Sequence, residues 1–408
     1  MANKRRIALF INSLCGGGAE RVVSRISREL DKEYDLYIFL VEGKKIFYEC
    51  AGTIIDLGCG SDRYIVNAMH AFAHINKTIR KYHIDCVISF LDVPNIINCV
   101  WNRNSKKMAS IRAYYGMELC KTWREKTKFV LLKNCLKRAD RVIPASQELN
   151  GEIIEYYHLD ADRTSVIENP YDIMEIGRLS SEKIEEEISK FIQNHKTAVA
   201  VGRLGREKGY EELIDTFTQV YQKNKDSALI ILGEGEIKEE LEEMIKKRHL
   251  SGQVLLLGLR ENPFAYMSKC QLYVSCTRHE GFPNSLVEAM ACGLPVIHTD
   301  CKTGPREILT VPLKERNIRR ALYAPYGILI PSYTRKQVSK KTMQKEFADA
   351  WIQLMSSDEL REKYIQASRE RAEYYSMDRC KKRFQEVIKD VLQCNDPVGS
   401  GILTKTDK

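Results

Sequence analysis

Glu280-Gly281-Phe282-Pro283-Asn284-Ser285-Leu286-Val287-Glu288 sets two carboxylates on either side of seven residues that begin with a Gly-Phe-Pro bend. The apolar run before it, Gln271-Leu272-Tyr273-Val274-Ser275, reads as a buried parallel strand, and a helix is expected to start near Asn284. A strand, a loop and a helix N terminus in that order present free backbone N–H groups to an anion, with the helix dipole behind them. Glu280 would project from the loop and Glu288 would lie about one turn into the helix. One end then suits a sugar hydroxyl and the other a ribose diol, with phosphate between them. The same spacing also fits a capping glutamate followed by a surface helical one.

Three other strand-to-loop transitions carry related chemistry. Val201-Gly202-Arg203-Leu204-Gly205-Arg206-Glu207-Lys208-Gly209 places two cations, Arg203 and Lys208, on a loop that opens a helix, and a diphosphate needs about two counter-charges. Leu232-Gly233-Glu234-Gly235 lets backbone approach a ligand closely, or ends a strand for packing reasons alone. Gly258 leads into Leu259-Arg260-Glu261-Asn262-Pro263, a turn able to hold a nucleotide base through backbone contacts. Near the start, Gly16-Gly17-Gly18-Ala19-Glu20 forms either an anion nest at a helix start or a flexible turn. It is neither a dinucleotide fingerprint nor a P-loop, which disfavours a dehydrogenase or a P-loop NTPase.

Short apolar runs alternate with amphipathic helical stretches along most of the 408 residues. Strands are expected at Arg6–Ile11, Asp35–Leu40, Cys86–Phe90, Met108–Ile111, Arg141–Pro144 and Ser165–Ile167, with helices between them. After Glu168-Asn169-Pro170-Tyr171 and an acidic helical stretch (Arg178–Gln193), a second strand–helix series begins at Thr197. The pattern is α/β, with two Rossmann-like doubly wound domains facing across a cleft. The 13 cysteines are scattered without a Cys-x-x-Cys pair, which points to free thiols in a reducing compartment. No stretch approaches the ~18 uncharged apolar residues of a spanning helix, so a cytoplasmic protein is expected. Residues 101–141 hold 12 Lys/Arg against Glu118, Glu125 and Asp140. Within them Cys120–Arg138 reads as a helix carrying Trp123, Phe129, Leu131, Leu132 and Leu136, suited to an anionic membrane surface or to a core with a solvated basic face. No nucleic-acid-binding motif accompanies the basic patch.

Taken together, these motifs resemble retaining glycosyltransferases of family 4, with the GT-B fold. The resemblance runs nearly full length and adds Asn169-Pro170, Gly304-Pro305-Arg306-Glu307 and Tyr326-Gly327-Ile328-Leu329 to the segments above. It is strongest toward bacterial hexosamine or hexose transferases of lipid-linked or surface glycans. It implies an acceptor domain over residues 1–172, a donor domain over 173–375, a helix at 376–394 returning to the first domain, and a disordered tail at 395–408.

Residue by residue, the resemblance implies that Arg203, Lys208 and Glu280 are catalytic. It assigns the donor, a UDP-sugar, to Gly17, Gly18, Gly202, Gly233, Gly235, Arg260, Gly281, Phe282, Pro283, Asn284, Ser285, Leu286 and Glu288. Glu20 and Arg112 fall on the acceptor side. Many relatives carry a histidine where Met108–Gly116 offers Arg112, which could bind acceptor or form a sheet-edge salt bridge. No metal or other cofactor is implied, and there is no Asp-x-Asp motif. The implied acceptor is a polyisoprenoid-pyrophosphate-linked or polysaccharide glycan at the inner face of the cytoplasmic membrane. Alternatives are a UDP-glucose or UDP-galactose transferase with a soluble acceptor, a non-catalytic nucleotide-sugar-binding protein, or a GT-B-shaped epimerase.

Overall fold

The structure, a computed structural model, describes residues 4–15, 17–44, 46–113, 122–310 and 317–393. The tail expected to be disordered, Gly16, and the Tyr114–Gly116 part of the Arg112 segment lie outside those residues.

Six strands, β1 (Arg6–Ile11), β2 (Asp35–Leu40), β3 (Thr53–Asp56), β4 (Cys86–Phe90), β5 (Lys106–Ile111) and β6 (Arg141–Pro144), form one sheet in the order β3-β2-β1-β4-β5-β6. Every pairing in it is parallel. Seven more, β7 (Lys196–Val201), β8 (Ser227–Leu232), β9 (Val254–Gly258), β10 (Leu272–Ser275), β11 (Val296–Thr299), β12 (Leu322–Ala324) and β13 (Gly327–Ile330), form a second sheet ordered β12-β13-β11-β10-β7-β8-β9. Only the edge strand β12 runs antiparallel. The central strands are apolar at nearly every position because helices cover both faces; all of β4 and β8 is buried.

The first series carries helices α1 (Gly18–Leu30), α2 (Tyr64–Tyr82), α3 (Asp92–Trp101), α4 (Trp123–Leu136) and α5 (Gln147–Tyr157). Then come α6 (Ile173–Ser180), α7 (Glu186–Asn194), α8 (Tyr210–Lys223), α9 (Lys238–Lys247), α10 (Pro263–Met267), α11 (Asn284–Ala291) and α12 (Pro305–Leu309). The chain closes with α13 (Lys340–Ser356), α14 (Asp358–Glu373) and α15 (Met377–Gln393). Helix α15 crosses back: Phe384, Ile388 and Val391 share a core with Ile7, Leu9 and Ile11 of β1 and with Val22, Val23 and Ile26 of α1.

Each sheet reverses its strand order once, between β1 and β4 in the first and between β7 and β10 in the second. Ligands of open parallel sheets bind outside the carboxyl ends of the strands at such reversals. The loops that leave β1, β7 and β10 there are the Gly17-Gly18, Gly202–Gly209 and Glu280–Pro283 segments.

Four details differ from the sequence expectation. Ser165–Ile167 is not a strand: its N–H groups reach Val142 and Pro144 of β6, but the chain turns away toward Asn169-Pro170 before a ladder forms. The acidic stretch is two helices, because the C-terminal carbonyls of α6 are taken by Asn262 (to Leu179 O, 2.9 Å) and Ser268 (to Ser180 O, 2.8 Å). Strand β3 and the β12 edge went unanticipated, both being short and partly exposed. Finally, α4 divides its apolar residues between two faces. Phe129, Leu132, Cys135 and Leu136 are buried, whereas Trp123, Val130 and Leu131 are exposed.

Candidate active site

The loop after β10 is held by its backbone. Glu280 N–H donates to Lys302 O (2.7 Å), Thr303 N–H returns to Glu280 O (3.0 Å), and the Thr303 hydroxyl donates to Glu280 O and Gly281 O. This frees the Glu280 side chain to meet the loop after β7, where Lys208 Nζ lies 2.5 Å from Glu280 Oε1. Gly209 makes that approach possible: its φ is +66°, and a Cβ there would sit 2.3 Å from Cys276 O. Burial alone would depress the Lys208 ammonium, but the Glu280 carboxylate outweighs it and holds Lys208 above its ordinary range.

Glu288, on α11, is 3% exposed and is therefore not a surface residue. Its Oε1 accepts from Arg21 Nη1 (2.7 Å) and Arg25 Nη2 (3.0 Å), both on α1 of the opposite domain. Burial pushes its carboxyl up, yet the two guanidinium groups hold it below the ordinary carboxylate range. Arg25 also donates to Pro170 O (3.0 Å) and lies over the Tyr171 ring. The start of α11 meets the same region. Asn284 Oδ1 accepts from Asn169 Nδ2 and Tyr171 Oη, each at 2.7 Å, and a Cβ on Gly18 would lie 3.0 Å from Asn284 Nδ2. Among the described residues no side chain caps α11, and α1, which starts at Gly18, is uncapped as well. Gly281 completes the closure of the cleft, since a Cβ there would be 2.0 Å from Arg112 O.

The remaining expected residues divide. Ser285 shares a hydrogen bond with Tyr273 (2.8 Å), Phe282 packs edge-on to Tyr375, and Leu286 is buried. Gly233 and Gly235 lie against the Gly202–Leu204 backbone. Arg203 is largely exposed and pairs with Glu207 (2.6 Å) and Glu236 (3.2 Å) of its own domain. Arg260 lies over the Tyr266 ring and 3.4 Å from Glu185. Asn262 caps α10. Glu20 folds back toward Gly17, and burial raises its carboxyl.

Arg112 forms no sheet-edge salt bridge. Strand β5 is not an edge, and among the described residues the guanidinium has no carboxylate partner. It donates to Ser110 Oγ, Ile167 O and Asn169 Oδ1, and burial lowers it to about 10.

Arg21 and Arg25 were missed in the sequence, where only their four-residue spacing on one helix face hinted at a shared target. His298 was missed too. It is fully buried on β11, its Nε2 has no hydrogen-bond partner among the described residues, and burial drops it to about 4, so it stays neutral near the Lys208–Glu280 pair.

The family model described as "Glycosyltransferase Family 4" matches residues 16–175, and that for "Glycosyl transferases group 1" matches residues 181–312. An uncharacterized glycosyltransferase of Methanocaldococcus jannaschii is 32% identical over 336 residues, 78% of this chain and 82% of its own. A Campylobacter jejuni protein named as an N-acetylgalactosaminyltransferase acting on an N-acetylgalactosamine-N,N'-diacetylbacillosaminyl-diphospho-undecaprenol is 29% identical over 314 residues, 74% of this chain and 83% of its own. Among solved structures, Anabaena HepE in complex with UDP and glucose superposes with a TM-score of 0.76 at 18% identity, covering 95% of this chain and all of that one. The two facing sheets are thus a GT-B fold, and the molecule is a glycosyltransferase. The chain belongs to the family 4 glycosyltransferases.

Proposed function

We propose that the protein moves a hexose or N-acetylhexosamine from a UDP-sugar to a lipid-linked or surface glycan, with retention of anomeric configuration. The single observation that carries this reading is the Lys208–Glu280 pair, set beside an uncapped helix start at the reversal of the donor sheet. Lys208, Arg203 and the first N–H groups of α11 neutralise the departing diphosphate. Glu280 accepts hydroxyl hydrogen bonds from the transferred sugar, and Glu288 accepts from the ribose. The acceptor oxygen attacks C1 on the face the diphosphate leaves. Its proton passes to a phosphate oxygen as the C1–O bond to phosphate breaks and the new glycosidic bond forms.

The named activity of the Campylobacter relative supports a polyisoprenoid-diphosphate acceptor. Among the described residues no helix is long and apolar enough to cross a membrane. We assign contact with the inner face of the membrane to residues 101–141, where exposed Trp123, Val130 and Leu131 stand among lysines. UDP release across a panel of UDP-hexoses and UDP-N-acetylhexosamines, with a lipid-pyrophosphate saccharide as acceptor, tests the reading. One donor turns over and the product keeps the α configuration; release from none of them overturns it. Flotation with anionic liposomes tests the membrane contact, which fails if the protein stays at the bottom of the gradient.

A further inference from the structure

The loops that carry Lys208 and Glu280 are joined a second time, by a deeper ion pair. Glu212 follows Lys208 by four residues, in the first turn of α8, and Arg278 precedes Glu280 by two. Both oxygens of the Glu212 carboxylate accept from Arg278 Nη2, at 2.8 and 2.9 Å. The charges are crossed: the loop after β7 supplies the cation of one pair and leads into the carboxylate of the other, and the loop after β10 does the reverse. Between the two pairs the backbones meet, with Arg278 N–H donating to Glu207 O at 2.8 Å and Gly209 set against Cys276 O.

Glu212 is placed to hold the loops rather than to meet substrate. Its side chain is 2% exposed. Besides Arg278, the Tyr333 hydroxyl donates to its Oε1 at 3.0 Å, and Lys340 Nζ lies 3.0 Å from the same oxygen. Burial pushes this carboxyl up, but the Arg278 and Lys340 cations outweigh it and hold it below the ordinary carboxylate range. Arg278 is fixed at its backbone too, its carbonyl accepting from the Thr334 hydroxyl at 3.2 Å. The Lys208–Glu280 pair cannot set the loop spacing throughout a reaction. Once Glu280 turns to a sugar hydroxyl and Lys208 to phosphate, their mutual attraction is lost. The charge-assisted bonds of Glu212 persist, because no substrate reaches them.

We propose that Glu212 and Arg278 are positioning residues, whose buried ion pair keeps the Lys208 and Glu280 loops in register while substrate separates Lys208 from Glu280. The inference rests on the role given to Lys208 and Glu280 under the transferase reading above.

A double-mutant cycle tests it, with the donor and acceptor that the UDP-release panel identifies. Rates are read under single turnover, with enzyme in excess, so that slow variants stay measurable. Glu212→Gln keeps the size of the side chain and removes its charge; it remains folded, because Arg278 and Lys340 are 26% and 46% exposed and can be rehydrated. It slows UDP release by about tenfold, the cost of a catalytic group displaced by a fraction of an ångström, while UDP affinity in calorimetry stays within about twofold. Introduced into Lys208→Ala, the same substitution slows release by less than about twofold, because the cation it positions is already gone. Equal factors in the two backgrounds make the pair merely structural and overturn the proposal, as does an unchanged rate in Glu212→Gln. If melting curves show that Glu212→Gln is unfolded at the assay temperature, Arg278→Lys, which keeps the charge but not the guanidinium, enters the same cycle with the same expectations. Failure of the underlying reading shows separately, as Lys208→Ala releasing UDP at the wild-type rate.

Discussion

Glu280 and Glu288 stand at the two ends of one bend and helix, yet the cations that hold them come from different places. Glu280 meets Lys208 of its own domain. Glu288 meets Arg21 and Arg25 of the other. The first pair is prepared whether or not the domains face each other. The second exists only when they do, since Glu288 is buried and would otherwise be left without its counter-ions. One carboxylate therefore sits in an ion pair within its own domain, and the other in ion pairs that join the two domains.

Removing the within-domain cation gives the largest effect. Lys208→Ala lowers kcat by about 10²–10³-fold, the usual cost of deleting a preorganised group at developing charge. The circular-dichroism spectrum stays unchanged, because β7 and β10 are held by their own ladders. If UDP release by this variant matches the wild type, the preformed pair is structural and the comparison fails on its chemical side.

Breaking the cross-domain triad acts on geometry. Glu288→Ala leaves Arg21 and Arg25 free to be rehydrated, since their side chains are 30% and 15% exposed, so the loss is about 1–3 kcal/mol in urea unfolding. Small-angle scattering then reports a larger radius of gyration without UDP, while the wild type stays compact. An unchanged radius means that Asn169, Tyr171 and Asn284 hold the cleft without help.

The contrast between these two pairs also marks what a single sequence discloses. Strands such as Arg6–Ile11 and Cys86–Phe90 were legible to the residue because burial on both faces forces an unbroken apolar run. The loop containing Lys208 and the one containing Glu280 were each recognisable from local glycines and charges. Their meeting was inferable only through the resemblance, because nothing local joins residues 208 and 280. Arg21 and Arg25 were invisible for the same reason on a larger scale: 263 positions separate Arg25 from Glu288. Strand β3 hid because exposed positions dominate it and leave no apolar period to read. The acidic stretch was misread as one helix because Asn262 and Ser268, some 80 residues on, end the first half.

Arg203 sharpens the comparison from within one domain. Its ion pairs with Glu207 and Glu236 are exposed, and such pairs contribute about 0–1 kcal/mol each. It can therefore turn to a diphosphate at little cost. Arg203→Ala weakens UDP binding by about tenfold in calorimetry and leaves the melting temperature within a degree of wild type. A large fall in melting temperature would instead make Arg203 a structural partner of those glutamates.

Glu307 provides a second carboxyl reaching across the domains, this time without an ion-pair partner among the described residues. Its Oε2 accepts from Glu148 N–H (3.1 Å) at the start of α5, and burial beside Glu148 and Glu168 raises it from 4.5 to about 8. A carboxyl raised in the folded state favours folding while it stays protonated. Its contribution is complete below pH 4.5 and is lost as pH rises through 8. Glu288, lowered by its two arginines, has the opposite sign: its contribution is present above the ordinary carboxylate range and lost in acid. Between pH 6 and 8 the wild-type melting temperature accordingly falls by roughly 2–4 °C more than that of Glu307→Gln, which stays neutral throughout. Parallel melting curves for the two proteins over that window would mean that Glu307 is ionised in the folded chain, and that the cross-domain contact at α5 tolerates a charge as readily as the one at Glu288.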